Sequence, residues 1–176
     1  MRYGLALLVL LAACQNPAPL PILGRVPDFA LTAQNGKPFG KKDVDGKVWV
    51  ADFIYTTCTG PCPMMTSKMR RIQSSIPQLL LLSFSVDPAH DTPEVLAGYA
   101  SQFHVRPNWF FLTGSAETLQ MLSREAFKLS DLGLIHSTRF VLVDRQSRIR
   151  GYYGTAEDSA IPKLLADIRL LQKEPL

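Results

Sequence analysis

Lys47 to Thr57, "KVWVADFIYTT", constrains the fold more than any other stretch. It is rich in β-branched and aromatic residues and lacks the polar alternation of a half-exposed strand, so both of its faces must be covered. "QLLLLSFSV", Gln78 to Val86, is a second strand of the same kind. Between them Met65, Met69, Ile72 and Ile76 recur at i, i+4, i+7 and i+11, which predicts a helix beginning just after Cys62. Asp91 or Thr92 can cap a further helix, with Pro93 in its first turn and Glu94 behind it. "NWFFLTG" predicts a strand, and Ser115 opens a helix to about Phe127. "TRFVLVD" and "RIRGYYG" predict two strands joined by a turn near Gln146-Ser147. A last helix runs from about Ser159 to Gln172. Ahead of all these, "DFALTAQNGKPFG" alternates and then turns at Asn35-Gly36, a hairpin signal. The order β-α-β-α-β-α-β-β-α after the hairpin calls for an α/β fold, a central mixed sheet flanked by helices.

The chain has 176 residues, 47% hydrophobic and 19% charged, which suits one globular domain. Its net charge of +4 is spread along the chain with no run of five like charges. No concentrated basic face is present, so no nucleic-acid partner is expected. The N-terminus, "MRYGLALLVLLAACQNPAPLP", has Arg2 followed by an apolar run from Gly4 to Ala13. A membrane-spanning helix needs roughly 20 apolar residues. This shorter run suits the core of a secretory signal. It ends in Leu11-Ala12-Ala13-Cys14, which resembles a bacterial lipobox, where cleavage precedes a cysteine carrying a thioether-linked diacylglycerol. The alternative is an ordinary signal peptide cut nearby. The expected organisation is a signal peptide over residues 1–13, a lipidated Pro-rich tether over 14–26, and one domain over 27–176. The domain would then sit in the cell envelope, outside the cytoplasm, held to a membrane by Cys14. Thiols are readily oxidised there.

The other two cysteines are Cys58 and Cys62, in "TTCTGPCPMM". Cys58 follows the end of a buried strand and Cys62 opens the next helix. Crevices beyond strand ends of open α/β sheets collect ligands. A helix N-terminus favours a thiolate through its unpaired N–H groups. Pro61 and Pro63 stiffen the turn. The pair could serve as a redox disulfide or hold a soft metal, and the bland alternative is a structural disulfide or two inert thiols. Asp52 stands six residues before Cys58, a buried acid whose pKa burial would raise. Asp87 ends the second strand at the same sheet edge as Cys58, where it could orient a ligand, pair with a partner, or simply make a turn. Asp91 reads as a helix cap, Met64 as a side chain filling a gap, and Met65 and Met69 as core. His90 and His104 read as surface residues, whereas His136 immediately precedes a strand.

"DFIYTTCTGPCP", "FSVDPAHDTPEVLAGYA", "NWFFLTG" and "IHSTRFVLVDRQSRIRGYYG", in that order and spacing, resemble the Sco/SenC family of copper-binding cytochrome oxidase assembly proteins. The resemblance runs from about Pro27 to the last helix. It implies a thioredoxin-like fold and one copper, Cu(I) or Cu(II), per chain, held by Cys58, Cys62 and His136. Two thiolates suit Cu(I), and an imidazole adds to a Cu(II) site. The implied partners are the copper-bearing subunit of a respiratory oxidase and a protein that donates the copper. The chain would be a carrier rather than an enzyme with turnover. A thiol–disulfide oxidoreductase that keeps partner cysteines reduced is the alternative. It is favoured by Asp52, placed like the proton-relay acid of thioredoxins. It is opposed by the longer loop between the cysteines and by His136-Ser137-Thr138 where thioredoxins place a proline.

Overall fold

A computed structural model describes residues 18–129 and 137–175. Eight strands are β1 (Gly24–Arg25), β2 (Ala30–Ala33), β3 (Pro38–Gly40), β4 (Trp49–Ile54), β5 (Leu80–Ser85), β6 (Trp109–Thr113), β7 (Arg139–Val143) and β8 (Arg148–Gly154). They form one sheet in the order β1-β8-β7-β4-β5-β6-β2-β3. The helices are α1 (Lys41–Val44), α2 (Pro61–Ser75), α3 (Pro93–Gln102), α4 (Ala116–Met121) and α5 (Ala160–Lys173).

Every residue of β4 and β5 is buried, as their unbroken apolar character requires. The two pair in parallel, with Trp49 beside Leu80 and Ile54 beside Ser85. β6 continues in parallel on β5, while β7 runs antiparallel to β4 and β8 antiparallel to β7. Successive β4 residues point to opposite faces. Val50 and Ile54 pack with Met65, Met69 and Ile72 of α2, Leu96 of α3 and Leu164 and Ile168 of α5. Trp49, Ala51 and Phe53 pack on the other face with Leu119 of α4 and Phe127. There Phe53 stacks on Phe84 at 5.0 Å and meets Phe127 edge-on at 5.3 Å. Each such buried ring stabilises the fold by roughly 1.5–3 kcal/mol.

The punctuation is chemical. Gly36, with φ +75°, closes the β2–β3 hairpin, and Asn35 accepts from the Lys37 N–H. Thr92 caps α3 by accepting from the Val95 N–H, and Ser115 caps α4 by accepting from the Thr118 N–H. The helix opened by Ser115 does not stay regular. It widens into a π-helical turn over Leu122–Ala126 before Phe127 enters the core.

The sheet also takes in residues ahead of Pro27. Gly24 and Arg25 pair with Ile149 and Arg148 on β8. Arg150, nearly fully buried, explains how this segment is held. It donates to the carbonyls of Leu20 and Pro21 and to the carboxylates of Asp144 (2.8 Å) and Glu174 (3.1 Å). One guanidinium thus ties the start of the described chain to the end of α5.

Candidate metal and redox centre

β4 ends at Ile54, and the chain turns through Tyr55–Gly60 before α2 begins at Pro61. The Cys58 N–H donates to the Tyr55 carbonyl at 3.3 Å, which folds the loop back over the strand end. Pro61 and Pro63 both lie in the first helical turn, where a missing N–H costs nothing. Cys58 and Cys62 are free thiols, 6% and 1% exposed.

The two thiols are unequal. Burial opposes ionisation of Cys58. Hydrogen bonds from the Cys62 thiol, the N–H groups of Cys62 and Gly60, and the Tyr55 hydroxyl outweigh it and pull its pKa below the usual thiol value. Cys62 is pushed up to about 12, first by burial, then by donating to Cys58 and by the charges of Cys58 and Asp52. Cys58 is therefore the more readily ionised sulfur of the two, and Cys62 the one held protonated.

Asp52 lies on β4 and is fully buried, and neither carboxylate oxygen has a hydrogen-bond partner of normal geometry. Burial raises its pKa to about 7, and the nearby Ser83 hydroxyl offsets only part of that. Asp87 is half-buried in the turn after β5, at the same end of the sheet as Cys58. Its backbone N–H donates to Ser85 Oγ and its carbonyl accepts from His90 and Asp91. His136 and Cys14 lie outside the described residues. β7, the strand that His136 precedes, pairs antiparallel with β4, so it begins at the cysteine end of the sheet. Thr138, just ahead of it, accepts from the Thr155 N–H. Met65 and Met69 are buried, and His90 and His104 are exposed.

Two sequence expectations are corrected. Asp91 is not a helix cap, since Thr92 fills that role. Asp91 is fully buried and ties two loops together. It accepts from the Thr56 hydroxyl (2.5 Å), the Thr56 N–H (3.2 Å) and the Ser85 hydroxyl (2.6 Å). Met64 fills no gap. It is 42% exposed, because the helix turns Cys62 and Met65 inward and Met64 out. Tyr55 was missed as a partner of Cys58, and nothing in its local sequence pattern marks it.

Among the described residues, no group of three His, Cys, Asp or Glu side chains could hold a metal. Two adjacent thiols are nonetheless a soft donor pair of the kind that suits copper(I). A third His, Cys, Asp or Glu ligand would have to come from outside the described residues. No helix among the described residues is long and apolar enough to cross a membrane.

Comparison with known proteins agrees with this arrangement. The SCO1/SenC family matches residues 24–171. A Stutzerimonas stutzeri protein named "Putative copper-binding protein" is 33% identical over 78% of this chain and 72% of its own length. A SCO1/SenC family lipoprotein from Bacillus anthracis superposes with a TM-score of 0.80 at 35% identity, covering 87% of this chain and 98% of that one. BsSco, a member of the Sco family of cytochrome c oxidase assembly proteins in which a disulfide switch is identified, superposes at 0.79 with 28% identity, covering 90% of this chain and 100% of that one. The fold is thus the thioredoxin-like α/β arrangement of these proteins. With the paired thiols at the end of its central strand and a family match over nearly the whole described chain, this protein belongs to the SCO1/SenC family.

Proposed function

We propose that the chain is a copper-binding assembly factor that delivers copper to the copper centre of a respiratory cytochrome oxidase. The observation that carries this reading is the pair of buried, free thiols of Cys58 and Cys62 at the sheet end where the strand after His136 begins. Cys58 and Cys62 would hold one Cu(I), and His136 would add an imidazole for Cu(II). The oxidase's copper-bearing subunit would be the acceptor, and a second protein would supply the metal. A relative described as copper-binding supports the cargo, and membership of a family of oxidase assembly proteins supports the acceptor. The Leu-Ala-Ala-Cys motif and a relative described as a lipoprotein support a lipid anchor on Cys14, with the domain outside the cytoplasm. Titration of the reduced protein with Cu(I) and Cu(II), repeated with His136→Ala, tests the assignment. The wild type should bind one copper. The variant should lose at least about 10-fold in Cu(II) affinity and less in Cu(I) affinity. Unchanged Cu(II) binding in the variant would remove His136 from the site.

The thiol–disulfide reading has its own support in the unequal thiols, the buried Asp52 behind them and the disulfide switch of BsSco. The two activities are compatible. Closing a Cys58–Cys62 disulfide would remove both thiolates and with them copper binding.

A further inference from the structure

Beside the cysteine turn, α2 and α3 leave a cleft of about 430 Å³. We propose that this cleft seats an extended, apolar segment of the partner polypeptide, positively charged next to the residue that exchanges with Cys58. The inference deepens the exchange chemistry proposed for Cys58 by giving it a docking surface.

The position comes first. Thr57, immediately ahead of Cys58, and Pro63, immediately after Cys62, both line the cleft. A chain lying in it therefore passes the turn that carries both cysteines, although neither lines the cleft itself. Val95 and Tyr99 of α3 and Phe103 just past its end give it an apolar wall, while Thr56, His90 and Gln102 give polar edges. Gly98 keeps it open. This glycine sits inside α3, where glycine weakens a helix, yet a Cβ built on it would meet nothing within 4 Å. Packing does not demand glycine there, and any larger side chain would project into the cleft.

The charge comes second. All 19 Lys and Arg residues lie outside Ile72–Val105, whereas that stretch holds Asp87, Asp91 and Glu94. Asp91 is consumed by Thr56 and Ser85. Asp87 and Glu94 remain, Glu94 one helical turn ahead of Gly98 on the same face of α3. His90, on the cleft wall, follows the turn that Asp87 opens. At the far end Arg70 donates to the carbonyl of Phe103. No carboxylate lines the cleft itself, but Asp87 and Glu94 flank its lining residues His90 and Val95, while Arg70 stands at Phe103, on a chain of net charge +4. A cationic group beside the partner's exchanging residue fits that polarity, which steers encounter more than it adds affinity.

The test uses the reduced protein with Cys14→Ser, whose remaining cysteines are Cys58 and Cys62, and two synthetic apolar decapeptides, one with Lys and one with Glu beside a single cysteine. Each peptide cysteine is activated as a mixed disulfide with thionitrobenzoate. The Cys58 thiolate attacks the peptide sulfur. The Cys58–peptide S–S bond forms, the peptide–thionitrobenzoate bond breaks, and the coloured thiolate leaves with the electron pair. At low salt the Lys peptide should react roughly 5-fold faster than the Glu peptide, from one surface-charge contact. The difference should vanish at high salt. Glu94→Lys should reverse the preference. Gly98→Trp should slow both peptides about 10-fold relative to a small aromatic disulfide that needs no cleft, and Gly98→Ala should leave the rates intact. Equal rates for the two peptides in the wild type would overturn the proposal. So would a Gly98→Trp variant slowed no more with peptides than with the small disulfide. The copper titration does not enter these rates, so the cargo and the docking surface fail separately.

Discussion

Asp91, fully buried, accepts hydrogen bonds from both the backbone N–H and the hydroxyl of Thr56, two residues ahead of Cys58. Its second oxygen accepts from Ser85 at the end of the neighbouring strand. One carboxylate therefore joins the loop after β4 to the loop after β5, and sets where the cysteine turn leaves the sheet.

Removing that carboxylate strands three donors, two on half-buried Thr56 and one on fully buried Ser85. Asp91→Ala should destabilise the protein by roughly 2–5 kcal/mol, whereas Ser85→Ala, which removes one donor to the carboxylate and the acceptor of the Asp87 N–H but leaves the Thr56 bonds, should cost about 1–2 kcal/mol. Denaturant midpoints measure both. Hydrogen exchange at the Thr56 amide should rise in Asp91→Ala well beyond the global loss of stability, because the loop loses its anchor.

Asp52 should make stability fall as pH rises. Its folded pKa of about 7 lies above the ordinary 3.8, because burial penalises the charged form. Between those values the folded protein holds more protons than the unfolded one, so stability declines from about pH 4 to about pH 7 and then levels. Asp52→Asn cannot ionise. It should match the wild type near pH 4 and exceed it near pH 8 by about 2–4 kcal/mol, allowing for the cost of its own buried amide. Urea denaturation at the two pH values decides this, and a constant difference would refute it.

The thiols should alkylate in order. At pH 8 Cys58 is the better-ionised sulfur, and Cys62, pushed to about 12, is almost wholly protonated. With a limiting alkylating agent Cys58 should be modified roughly 30- to 100-fold faster, after allowing for the greater intrinsic nucleophilicity of a high-pKa thiolate. Peptide mapping by mass spectrometry gives the ratio. Tyr55→Phe should narrow it, since one donor to Cys58 is lost.

What could be read from the sequence was local. The unbroken apolar runs of Lys47–Thr57 and Gln78–Val86 could only be strands covered on both faces, and β4 and β5 are buried at every position. The Asn35-Gly36 turn, the Ser115 cap and the prolines flanking Cys62 act through their own backbone geometry, so no distant residue can reassign them. The strand-cysteine-helix order followed from these. Tertiary structure decided the fate of polar and long side chains, whose cost or value depends on what packs around them. Asp91 and Thr92 are both plausible caps by sequence, and only the approach of Thr56 and Ser85 made Asp91 a buried clasp. Met64 and Met65 differ by one position, and helix phase against the sheet sent one outward and the other into the core. Arg150 binds the carbonyls of Leu20 and Pro21 across about 130 residues of chain, a pairing no local pattern encodes. The inequality of Cys58 and Cys62 has the same origin. Spacing brings the sulfurs together, but burial, N–H direction and the Tyr55 hydroxyl, all set by the folded chain, choose which one is charged.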